Sequence, residues 1–126
     1  MSQPSPASEV MFLERQAPAV EAARDRAKAA FVTHLVALAT GVSPEQIYSQ
    51  ERGRGRIPAA RAMAMYLTHV GFGMPLQRVA AAFCRDRSTT AYACSRVEEM
   101  REERGLDQVL DGLEACVRQA PAEPAL

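Results

Sequence analysis

Glycine and proline cut this chain into lengths that suit helices, and between the cuts apolar residues return at three- and four-residue steps. After Pro18, the positions Val20, Ala23, Ala27, Ala30, Phe31, His34, Leu35 and Leu38 keep this spacing as far as Gly41, which predicts a long amphipathic helix starting at Pro18. Ser43-Pro44-Glu45-Gln46 supplies a cap and a proline at the first helical position, so a short helix follows through Ile47 and Tyr48. In "SQERGRGR" the residues Gly53 and Gly55 forbid a stable helix and leave three arginines on a loop. Pro58 starts "PAARAMAMYLTHVG", with Ala62, Met65, Tyr66 and His69 on one face, widened by Met63 and Val70, and Gly71 and Gly73 end it. Leu76, Val79, Ala80 and Phe83 mark another short helix. Cys84 to Arg87 form a tight connection to a helix from Ser88 that turns Ala91, Cys94, Val97 and Met100 inward. Gly105 interrupts before "LDQVLDGLEACVRQ", whose Leu106, Val109, Leu110, Leu113 and Val117 share a stripe.

A chain of 126 residues is one domain by length, and 48% apolar with 6% aromatic residues and no Trp agrees with an all-α fold. The three cysteines, Cys84, Cys94 and Cys116, show no CxxC spacing, and "MSQPSPASEVMFLER" has neither the basic start nor the apolar run of a signal peptide. The expected compartment is a reducing cytoplasm. The longest apolar stretch, "AAFVTHLVALA", is interrupted by Thr33 and His34 and is too short to span a bilayer, so no membrane partner is expected.

Net charge is zero, but its distribution is uneven. From Arg52 to Arg96 there are eight arginines and one acid, Asp86; from Val97 to Glu114 seven acids face Arg101 and Arg104. Within the basic part, residues 75–104 have the pattern of a helix-turn-helix: a short helix with small residues, a four-residue turn, and a longer helix with a polar start. Arg85, Asp86, Arg87, Ser88 and Thr89 crowd the turn and first helical turn, where arginine can donate twice to guanine, aspartate can accept from cytosine, and threonine offers a hydroxyl and a methyl. Tyr92 shares the face of Ser88 and can reach a base edge or the backbone. Arg52, Arg54 and Arg56 on the glycine loop suit the narrow minor groove or the backbone, and Arg61 suits a phosphate. Asp86 either reads a base or caps the helix.

These residues resemble the C-terminal DNA-binding domain (domain IV) of the bacterial replication initiator DnaA. The resemblance rests on Phe83 and Cys84, "RDRST" at 85–89, Thr90-Ala91, Tyr92-Ala93-Cys94 and "SRVEEMREE"; upstream it takes in "RAMAMYL" at 61–67 and "VTHLVALATGVSPEQIYS", and it covers about residues 29–104. It implies double-stranded DNA as partner. Asp86, Arg87, Ser88, Thr89 and Tyr92 are then expected in the major groove, and Arg52, Arg54, Arg56, Arg61 and Arg85 in the minor groove or on the backbone. Against the family pattern the turn is one residue shorter, Arg87 and Tyr92 stand for histidines, Ser88 stands for a threonine, and Gln77 takes the place of a proline. The length leaves no room for the initiator's ATPase module, and no GxxxxGK[ST] occurs.

The expected organisation is a flexible N-terminal extension (1–17) with no more than a short helical turn at "SEVMFLERQ", a DnaA-like helix-turn-helix domain (18–104), a C-terminal helix (105–119) packing on it or on a partner, and a flexible tail (120–126). The expected function is that of a non-enzymatic, sequence-specific DNA-binding protein in the cytoplasm, associated with the nucleoid. Its expected role is regulation of transcription, with activation and repression both open, and the resemblance extends to activators that work with a sigma-factor-like partner in gene-transfer-agent regulation. The alternatives are a replication modulator occupying DnaA boxes and a helical protein-interaction module that has lost DNA binding. A protein partner or self-association through the N-terminal extension or the C-terminal helix would extend the short site that one helix-turn-helix reads. No cofactor, metal ligand set or catalytic group is expected: His34 and His69 read as packed or surface residues, Met63, Met65 and Met74 as core, and the cysteines as small apolar residues, with Cys84 alone in an exposed turn.

Overall fold

The computed structural model describes residues 6–103 and 105–120, without the side chains of 12–14. Among them are six helices and no strand: α1 (Pro6–Thr40), α2 (Pro44–Tyr48), α3 (Ile57–Phe72), α4 (Leu76–Ala82), α5 (Arg87–Arg101) and α6 (Leu106–Arg118). The all-α expectation holds. α3 is the centre. Its residues Ala60 to Thr68 are all buried, a continuous run that no amphipathic surface helix shows, because α1, α2, α4, α5 and α6 surround it.

The helix ends follow local chemistry. α2 starts in a capping box, with the Gln46 amide N–H donating to Ser43 Oγ (3.2 Å) and the Ser43 N–H to Gln46 Oε1 (3.1 Å), and Pro44 fits where no helical N–H is needed. α3 ends on Gly73 in the left-handed region (φ 63°), and the His69 ring donates through Nδ1 to the Met74 carbonyl at 2.6 Å.

Two expectations about α1 are corrected. The helix begins at Pro6 rather than at Pro18, so residues 6–17 continue it and Pro18 lies inside. A proline in a helix removes one N–H, the partner of the carbonyl four residues back; residues 15–24 are all exposed, so water can satisfy that carbonyl. The core face is also different from the predicted stripe. α1 buries Asp25, Ala29, Val32, Thr33 and Val36, while Val20, Phe31, His34 and Leu38 point to solvent, Leu38 at 85% exposure. Both sides of this helix are apolar enough to pass as the buried one, and periodicity could not choose. Asp25, 5% exposed, is not an orphan charge, because Arg78 of α4 grips it with two bonds (Nε to Oδ2 2.9 Å, an η nitrogen to Oδ1 2.7 Å) and reaches Glu21 at 3.0 Å. This ties α4 to α1.

α6 buries Leu110 and Val117 against α3, with Leu106 and Leu113 half-buried, but Val109 is 49% exposed and leaves the predicted stripe. A helix at the edge of the bundle presents only a narrow strip to its single large neighbour. Arg101 fastens the corner between α5 and α6: it donates to Asp107 (2.7 Å), Asp111 and the Tyr66 hydroxyl (2.8 Å), and lies over the Tyr66 ring. The bond to Asp107 first of all raises its pKa. Among the described residues, no helix is long and apolar enough to cross a membrane. Residues 1–5 and 121–126 of the expected flexible ends lie outside the described residues.

Candidate nucleic-acid interface

α4 and α5 form the expected helix-turn-helix. The turn is built on Cys84, the one non-glycine residue with positive φ (53°) among the described residues. Its N–H donates to the Ala81 carbonyl (3.2 Å) and the next N–H, of Arg85, to the Ala80 carbonyl (2.8 Å), which is the paired bonding of a Schellman helix end. That geometry favours glycine and strains a side-chain-bearing residue by about 1 kcal/mol. Cys84→Gly is therefore expected to leave stability unchanged or raise it by up to about 1 kcal/mol, since the relief offsets the extra entropy glycine loses on folding. Equilibrium urea denaturation measures this, and a clear loss of stability would contradict it.

Asp86 occupies the N-cap of α5 with extended backbone (φ −69°, ψ 150°), but its carboxylate makes no cap hydrogen bond. The helix start is held instead by the Asp86 carbonyl, which accepts from both the N–H and the hydroxyl of Thr90 (3.0 Å each). Thr90 is fully buried and acts as the pin. Asp86, Arg87, Ser88 and Thr89 are all exposed at this end, and Tyr92 is 69% exposed one turn on.

The eight arginines of the basic segment divide into two groups. Arg61 is 6% exposed, and its guanidinium donates to four carbonyls: Ile47 (2.8 Å), Arg52 (2.9 Å), Gln46 (2.9 Å) and Glu51 (3.0 Å). Burial, and then the charge of Arg85, lower its pKa. Arg85 reaches across from the turn to Gln50 Oε1 (2.7 Å) and the Ser49 carbonyl. Arg56 donates to the Thr40 carbonyl at the end of α1 (3.3 Å), Arg78 holds Asp25, and Arg96 pairs with Glu99 (2.6 Å). Arg52, Arg54 and Arg87 have no side-chain partner among the described residues. Arg61 thus sits behind the loop, not on its surface, and grips the chain that carries Arg52 and Arg54.

A groove of about 820 Å³ lies between this loop and α5. Arg52, Arg61, Arg85, Thr89, Tyr92 and Arg96 line it, together with Ala62 and Met65 of α3. It brings together residues far apart in sequence. Asp86, Arg87 and Ser88 do not line it; they stand at the tip of α5, while Arg54 and Arg56 are exposed on the loop. Gln50 and Arg96 were missed as groove residues. Arg96 was recoverable from spacing, because it follows Thr89 by seven positions and Tyr92 by four, on one helix face; Gln50 carried no such signal. No group of three or more His, Cys, Asp or Glu that could hold a metal occurs among the described residues.

A family model described as the bacterial dnaA protein helix-turn-helix matches residues 29–97, more than half of the chain and all of α2 to α4. The crystal structure of a DNA replication initiation factor is similar to this fold with a TM-score of 0.70 and 26% identity, over 89% of this chain and 36% of that one. The chain therefore spans about a third of that protein's length. Among curated proteins no match is found. The chain belongs to the bacterial dnaA protein helix-turn-helix family.

Proposed function

We propose that the chain is a sequence-specific double-stranded DNA-binding protein. The tip of α5 reads the major groove through Arg87, Ser88 and Thr89, with Asp86 and Tyr92 beside them, and the loop arginines Arg52 and Arg54 enter the adjacent minor groove. The observation that carries this reading is the groove between the two, lined by Arg52, Arg85 and Arg96, which suits the phosphate strand running between a major and a minor groove. Family membership supports the same partner. Arg61 then acts as a positioning residue for the loop, and Arg56 serves the end of α1 as well as the surface.

Binding assays across a salt series test the assignment. Arg87→Ala is expected to weaken the preferred sequence by about 1–3 kcal/mol while leaving random DNA little changed, because it removes a base contact. Arg54→Ala is expected to weaken all sequences alike and to lower the salt slope by about one, the signature of one lost phosphate or minor-groove charge. If neither change affects binding to any DNA, the chain is a protein-interaction module instead.

In the cell the reading is a transcription regulator working with a partner such as a sigma-factor-like protein. The likeness to a replication initiation factor favours a second reading, a modulator that occupies the initiator's boxes. Genome-wide occupancy separates them: binding at promoters with altered transcripts supports regulation, and binding confined to the origin supports the modulator.

A further inference from the structure

Arg85 stands one residue ahead of the α5 N-cap, in the turn of the helix-turn-helix, yet its guanidinium faces the arginine loop. One η nitrogen donates to Gln50 Oε1 (2.7 Å) and the other to the Ser49 carbonyl. Beside these bonds the Tyr48 ring stacks on Phe83, centroids 5.6 Å apart, and Phe83 is 2% exposed. The turn and the start of the loop therefore meet through an arginine clamp and a ring pair. Arg61 holds the same stretch from α3, through the carbonyls of Gln46, Ile47, Glu51 and Arg52. At the far end of the loop Arg56 donates to the Thr40 carbonyl and the Ile57 N–H to the Arg54 carbonyl (3.1 Å). Arg52 and Arg54 lie between these anchors. Without them the loop would be loose, because Gly53 and Gly55 both stand in the left-handed region (φ 79° and 58°).

We propose that Arg85 is a positioning residue that holds the arginine loop at a fixed offset from the tip of α5, so that both reach adjacent grooves of one duplex together. The proposal rests on the DNA reading above and gives its two contact elements a common ruler. Arg61 ties the loop to α3, but only Arg85 and Phe83 tie it to the turn from which α5 starts. Adjacent major and minor grooves are separated by one phosphate strand, and a loop that swung freely would lose that freedom on binding at a cost to affinity. The charge of Arg85 still belongs to the groove it lines, while its two η nitrogens serve the loop. Gln50, exposed and neutral, is the other half of the clamp.

Fluorescence anisotropy of a labelled mixed-sequence duplex, titrated with the full chain across a salt series, tests this. Arg54→Ala is expected to weaken binding at least about threefold less in an Arg85→Ala chain than in the unsubstituted chain, because the loop has already lost its place. Gln50→Ala removes no charge, yet it is expected to lower the salt slope, since a neutral side chain changes the number of neutralised phosphates only by moving arginines. Gln50→Glu can accept from the same guanidinium, so Arg54→Ala is expected to keep its full effect in that chain. Circular dichroism verifies that each variant is folded; if Arg85→Ala is not, Gln50→Ala takes its place in the cycle. Effects of Arg85→Ala and Arg54→Ala that simply multiply overturn the proposal and leave the DNA reading standing. So does a Gln50→Ala chain that loses affinity at an unchanged salt slope, which marks Gln50 as a DNA contact in its own right. Arg54→Ala and Arg87→Ala without effect on any DNA overturn both.

Discussion

Arg61→Ala is expected to lower stability by about 3 kcal/mol, and Arg61→Lys to recover only a minor part of it. One planar guanidinium satisfies four carbonyls along residues 46–52, two in the last turn of α2 and two in the loop after it, where no helix ladder continues beyond Tyr48. Hydrogen bonds from a charged group contribute about 1.5–3 kcal/mol each in isolation, and four sharing one side chain do not add, so the total is set near the upper end of one such bond. Lysine brings a single ammonium that cannot hold four acceptors spread around a fork. Equilibrium urea denaturation gives the number. The measurement also separates the two roles this arginine can have. A phosphate ligand would lose DNA affinity on substitution and leave the unfolding midpoint in place. A loop clamp loses both, because Arg52 and Arg54 ride on the segment it holds.

Gly71→Ala is expected to destabilise the protein by about 2 kcal/mol and to loosen α6 first. A β-carbon added at Gly71 would lie 2.4 Å from Val117 Cγ1 and 3.0 Å from its Cβ, and Val117 is 1% exposed with a stiff branched side chain. Overpacking of this kind costs about 1–3 kcal/mol, and the gain in helix propensity from glycine to alanine returns up to about 1. Val117→Ala alone is expected to cost about 2 kcal/mol through the cavity it leaves. The double variant is the decisive measurement. The added methyl then occupies space the valine has vacated, so the two effects are expected to cancel in part, with a favourable coupling of about 1 kcal/mol or more. Strict additivity would mean that α6 does not rest on α3 in solution and that its apolar strip serves a partner.

The helices, their order and most of their ends were legible in the chain because they depend on neighbours in sequence. The capping box at Ser43 and Gln46, the stop at Gly73 and the polar start of α5 all act within one turn, and so does the family motif from Phe83 to Cys94. The turn at Cys84 was located, but its left-handed backbone was not, since nothing about a cysteine announces it.

The rest was decided by tertiary structure. Periodicity shows that α1 has an apolar row, yet a helix with two such rows does not say which one its domain will cover; α3 and α4 chose Ala29, Val32 and Val36. Charge counting shows a basic segment, yet whether an arginine faces a nucleic acid or its own backbone depends on which carbonyls the fold brings near. Arg61, Arg78 and Arg85 found partners inside the molecule, and among the described residues the side chains of Arg52, Arg54 and Arg87 did not. By itself the sequence determined an all-helical domain and its helix-turn-helix, because local propensity and spacing are short-range. Only the packed structure decided which charges stayed free, because desolvation and hydrogen-bond geometry are properties of residues that meet across the fold.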